Sequence, residues 1–249
     1  MTKNKRISRR EFIKLGSIAA VSIPALNKIV EMDTLILPEN QGSPEIHKHK
    51  TEIFNAEKTR PQVTDAVHPV VLAGVTRASD DKVLISAVKD AAMAATDFSW
   101  LSKGDAVLIK PALNSGNPYP ATTNPVGIKA MVELLKEKGA GRVIVSDMSG
   151  IEFVKLTPEG LKGSSRDLMH ASGMARAALD AGAELYFPEE AGWEAFFEDY
   201  PVEKIYWKNG IMMPNILQEV DHIVLMPRCS RHILLGSSLG MKCAVGYWR

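Results

Sequence analysis

A stop-and-start device constrains the fold of this chain more than any other feature. Gly139-Ala140-Gly141-Arg142-Val143 returns later as Gly182-Ala183-Glu184-Leu185. In each, a glycine that tolerates the left-handed conformation ends a helix, and a short apolar run begins a strand. The helix before the first device is legible residue by residue. Asn124 is placed to cap it and Pro125 to open it, where a missing N–H costs nothing. Ile128, Met131, Val132 and Leu135 then fall at i, i+3, i+4 and i+7 on one face. Before the second device, a helix is predicted from about Arg166 to Ala181, with Leu168, Ser172, Ala175 and Leu179 along one stripe.

The rest of the chain from residue 70 onward repeats that alternation. Val70 to Val75 reads as a short buried strand, and Ser79 or Asp80 caps a helix carrying Leu84, Ala87, Val88, Ala91 and Ala95 on one face. Ala106-Val107-Leu108-Ile109-Lys110, Arg142 to Asp147, Glu184 to Phe187 and His222 to Met226 are further strands. Lys204 to Trp207 and Ile211 to Met213 flank Lys208-Asn209-Gly210 as a hairpin, and a short helix starts at Asn215. Strands alternating with helices predict an α/β fold, a mostly parallel sheet with helices on both faces. Ile109, Ile144 and Val224 are expected to be buried in its central strands. In such sheets ligands bind beyond the carboxyl ends of the strands, and candidate residues are sought there.

Lys110 and Asn114 follow one strand, and Thr123 leads from that loop into the capped helix. A lysine, an amide, a hydroxyl and free helix N–H groups suit an anion, although the hydroxyls of an ordinary loop also cap helices. Asp147, followed by Ser149 and Gly150, ends the next strand, where a carboxylate orients a base, binds a cation or caps a turn. The densest cluster follows Met226. Arg228, Arg231, His232 and Lys242 stand among glycines and hydroxyls, with no acid between them. Gathered cations are unfavourable without a compensating anion. The expected ligand is therefore an anionic small molecule, with His232, Lys242 and Asp147 as acid–base or attachment residues and Lys110, Asn114, Thr123, Arg228 and Arg231 binding it. The glycine- and serine-rich loop Gly160 to Ser165 is a further candidate to wrap it. No metal or cofactor is named by the residues themselves.

Charge and leader bear on where such a protein works. The 249 residues carry a formal net charge of +1. Residues 1–26 hold six Lys and Arg against one acid, so the remainder keeps 24 Lys+Arg against 28 Asp+Glu, a net −4. That balance lacks the concentrated basic face that nucleic-acid binding needs. The leader has Arg9-Arg10, Phe12 and Lys14 before an apolar run from Leu15 to Leu26, too short for a stable membrane span. It resembles a twin-arginine signal peptide. The resemblance implies periplasmic or other export of the folded protein by the twin-arginine translocase, with cleavage near Ala25 or retention on an uncleaved N-terminal anchor. Such proteins often carry a cofactor loaded in the cytoplasm. Residues 27–69, broken by four prolines, read as a polar linker and peripheral extension in which His47 and His49 lie among lysines. Cys229 and Cys243 are the two cysteines and form no C-x-x-C, so neither a ferredoxin-type cluster nor a zinc-finger pattern is present. A disulfide between them and two buried thiols are both open.

Lys110-Pro111-Ala112-Leu113-Asn114, Thr123-Asn124-Pro125, the Gly139 to Asp147 strand and Met226-Pro227-Arg228…His232…Gly236…Lys242…Gly246 together resemble the domain-of-unknown-function family 362 over roughly residues 70–249. That family usually has Leu-Pro-Lys before its histidine; Met226 and Arg228 stand here and keep the charge. The resemblance implies an α/β fold and an export context. Because some members are fused to iron–sulfur modules, it also implies a redox or iron–sulfur partner protein. Members continue past Arg249, which implies a sheet incomplete at its C-terminal end. A smaller likeness is to nickel-pincer lactate racemases, through His232, Gly236 and Lys242. There the family's paired glycines are replaced by Leu239-Gly240, and its last metal ligand would fall beyond Arg249. Two functional expectations follow: a redox or metal-dependent enzyme with an anionic ligand, or a non-catalytic exported binding or accessory protein of a redox complex.

Overall fold

The computed structural model describes residues 70–76, 79–200, 210–232, 236–238 and 240–247. The chain divides between Thr64 and Asp65, and every described residue lies in the second unit. The leader and the extension with His47 and His49 lie outside the described residues.

Four strands form one sheet: β1 (Ala106–Pro111), β2 (Arg142–Ser146), β5 (Glu184–Tyr186) and β8 (His222–Met226), in the order β5-β2-β1-β8. Every pairing in it is parallel. The fold is α/β. All six residues of β1 are buried because it has a strand on each side and cover on both faces. Alternate residues serve opposite faces. Val107 and Ile109 join Val143 and Val145 in one core, and Ala106 and Leu108 join Ile144 in another.

The two faces are covered unequally. The first core packs on α2 (Pro125–Glu137), α3 (Ser165–Ala171) and α4 (Met174–Asp180), through Ile128, Val132, Met169, Met174 and Ala178. The second is closed by α5 (Ile216–Glu219), through Ile216 and Leu217, with Ala244 of a 3-10 turn (Ala244–Tyr247) packed beside it. Asn124 caps α2 as expected, its Oδ1 accepting from Val126 N at 2.9 Å. For α1 (Asp81–Ala95) the cap is Asp80, and its lysine Lys89 reaches Glu137 of α2 at 2.6 Å.

Three expectations are corrected. Val70 to Val75 forms no strand and leaves Val70 88% and Leu72 92% exposed, since no described strand pairs with it. The helix predicted from Arg166 to Ala181 breaks into α3 and α4. Gly173 takes a φ of +83°, and the Ser172 hydroxyl turns back to donate to Met169 O at 3.0 Å. Strand β8 lies at the sheet edge rather than its centre, so Val224 is half-buried while Ile109 and Ile144 are buried. Strand β7 (Ile211–Pro214) pairs with β6 (Phe196–Asp199), which buries Phe196. The expected hairpin partner, residues 204–207, lies outside the described residues.

Candidate functional site

Parallel register brings three distant segments to one edge. Pro111 of β1 lies opposite Met226 of β8, and Ile109 lies opposite Val145 of β2. Asp147, two residues past Val145, therefore comes level with Pro111 at the end of β1, and Arg228 emerges two residues beyond that end. Lys110 follows Leu108 on the alternating face that α5 and the 3-10 turn cover, and that alternation makes it a buried lysine, 3% exposed.

A buried lysine needs a countercharge. Lys110 Nζ lies 2.7 Å from Asp147 Oδ1, with both side chains 4% exposed. Asp147 Oδ2 accepts from Leu113 N at 2.8 Å, which ties the loop after β1 to the end of β2. Burial pushes the Asp147 carboxyl up from its ordinary range, against the downward pull of the Lys110 ammonium. Gly246 seals the pair from the other side: a Cβ there would come within 2.7 Å of Lys110 Nζ and 3.2 Å of Asp147 Oδ1. Cys243 of α6 (Gly240–Cys243) packs beside it, its thiol donating to the carbonyls of Lys110 and Pro111 at 3.5 Å. Burial also raises this thiol, so it is held as a protonated donor rather than a nucleophile. Cys229 and Cys243 are free, one exposed and one buried, and form no disulfide.

The ion pair lies on the wall of a cavity of about 480 Å3 at the C-terminal ends of the strands. Four cations line it: Lys110, Lys155 of β3 (Lys155–Thr157), Arg228 and Lys242. Its one carboxylate among the described residues is Asp147, already engaged by Lys110. Arg228 is half-buried and donates through Nη1 to Ala121 O at 3.0 Å, which fixes the guanidinium at the cavity wall. Asn114 is exposed and also lines the cavity.

Of the residues singled out in the sequence, Lys110, Asn114, Asp147, Arg228 and Lys242 are thus brought together. Thr123 is not among the lining residues; its hydroxyl accepts from Ala112 N at 2.8 Å and donates to Met226 O at 2.7 Å, holding two strand-end loops in place. Arg231 and His232 lie on β9 (Ser230–His232), where His232 is opposite Gly236 of β10 (Gly236–Ser238). Their side chains fall outside what is described. Among the described residues no three His, Cys, Asp or Glu side chains are grouped to hold a metal ion. The loop Gly160 to Ser165 does not line the cavity: it supplies β4 (Gly160–Lys162) and the start of α3.

Sequence reasoning missed Lys155, which sits in a hairpin with no motif around it, and the role of Gly246 against the ion pair. Ser149 was visible only as a neighbour of Asp147. Its backbone N–H donates to Ser165 Oγ at 2.9 Å, and its own hydroxyl is buried at the cavity wall without a partner among the described residues.

Compared with known families, residues 107–249 match the profile described as Domain of unknown function (DUF362), more than half of the chain. No curated protein and no solved structure matches it.

Proposed function

The chain belongs to the family described as Domain of unknown function (DUF362), a description that carries no reaction, and from that premise we propose an exported protein that binds an anionic ligand at the C-terminal edge of its sheet. One observation carries the reading. Four cations line the strand-end cavity, and its single carboxylate among the described residues is already paired within it. Lys155, Arg228 and Lys242 are left with no carboxylate on that wall, and an anion entering between them relieves their mutual repulsion. The position beyond the strand ends is where open α/β sheets hold ligands. If the protein is an enzyme, Asp147, Lys242 and His232 are the residues we propose for redox or metal-dependent chemistry on that ligand; if not, it is an exported binding or accessory protein of a redox complex. Turnover of the bound anion separates an enzyme from a binding protein.

Titration calorimetry of the purified protein with inorganic phosphate tests the reading. Binding is expected in the millimolar range or tighter, weakening as salt rises. Lys242 is half-buried, and Lys242→Ala is expected to lower the affinity about fivefold to tenfold. Phosphate affinity unchanged in Lys242→Ala, or no binding of either inorganic phosphate or an organic phosphate, sinks the proposal.

A further inference from the structure

The cavity is larger and more apolar than a simple inorganic anion requires. Its volume of about 480 Å3 falls within the range of about 300–1,000 Å3 typical of sites for organic ligands. Leu113, Val154, Leu156, Trp193 and Val245 also line it. Ile151 lines the same space and is nevertheless 80% exposed. A single exposed isoleucine on an open surface is ordinary; one at the rim of a cavity, beside other apolar side chains, is a contact left for a ligand to make.

We infer that the ligand is an organic anion: a phosphate or carboxylate group joined to an apolar body about the size of one or two rings. This rests on the anion-binding reading above and deepens it. The charged group lies among Lys155, Arg228 and Lys242, and the body covers Ile151 and Leu156.

Calorimetry with inorganic phosphate, 1-naphthyl phosphate and 1-naphthol separates the two levels of the claim. 1-Naphthyl phosphate is expected to bind at least about tenfold more tightly than inorganic phosphate, the gain from covering about 60 Å2 of apolar surface. Ile151 is exposed, so Ile151→Ser leaves the fold intact. That variant is expected to lose at least about half of this gain on a logarithmic scale, with inorganic phosphate unaffected. Equal affinity for the two phosphates, or a gain untouched by Ile151→Ser, overturns the organic-anion inference and leaves the anion site standing. 1-Naphthol binding as tightly as 1-naphthyl phosphate, or no binding of either phosphate, overturns both.

Discussion

Lys110 and Asp147 form the one contact on which the described site turns. Each is buried, and each is tolerable there because the other stands 2.7 Å away. Asp147→Asn leaves the lysine in the same enclosure without its countercharge. Urea unfolding is expected to show a loss of about 3–5 kcal/mol, the usual cost of breaking a buried pair from one side. The double variant Lys110→Met, Asp147→Leu removes both charges and is expected to be more stable than Asp147→Asn alone. A neutral Asp147→Asn would mean that the pair does not form. At this scale Lys110, Arg228 and Lys242 were legible, because basic residues at strand ends without interleaved acids are conspicuous, whereas Lys155 in its hairpin was not. Their pairing was not. Nothing in the spacing of positions 110 and 147 says that the two side chains meet, and nothing around Gly246 says that its missing Cβ leaves them room.

The strands are held at the other end of the sheet by a different carboxylate. Asp105, just before β1, accepts from Ser102 N at 2.8 Å, and its Oδ2 lies 2.8 Å from His222 Nε2 at the start of β8. The Asp105 backbone carbonyl also receives the N–H groups of Gly141 and Arg142, leading into β2. The Ser102 N–H, with His222 second, holds the Asp105 carboxyl below its ordinary value of 3.8. The sign follows directly. A lowered folded pKa contributes stability above the unfolded value, and that contribution disappears as pH falls through the folded one. Wild type is therefore expected to lose more stability than Asp105→Asn between about pH 5 and about pH 3. Parallel pH profiles from thermal melts would rule out this role. Elements with strong local signals were read correctly, as α2 shows, where cap, proline and apolar stripe all agree. The errors fell where tertiary neighbours decide: β8 at an edge rather than the centre, and the break at Gly173.

For the whole molecule, the net −4 outside residues 1–26 and the cationic cavity are separate facts, since the charge sum says nothing of where charges gather. The export proposal rests on the leader, and Arg9 and Arg10 carry its signal. Lysine is a point charge with a different geometry from the guanidinium fork. Arg9→Lys with Arg10→Lys is therefore expected to leave the protein in the cytoplasm, as read by fractionation and immunoblotting. Normal export in cells lacking twin-arginine transport would exclude this route. Periodicity, caps and helix-ending glycines are local properties, and from them the α/β class and the alternation of elements could be read directly. So could the edge of the sheet at which to look, because parallel strands all end on one side. What only the tertiary structure decided was strand order, the unequal cover of the two faces and the enclosure of Lys110 with Asp147. Those depend on which surfaces bury one another across long stretches of chain, and no local pattern encodes that choice.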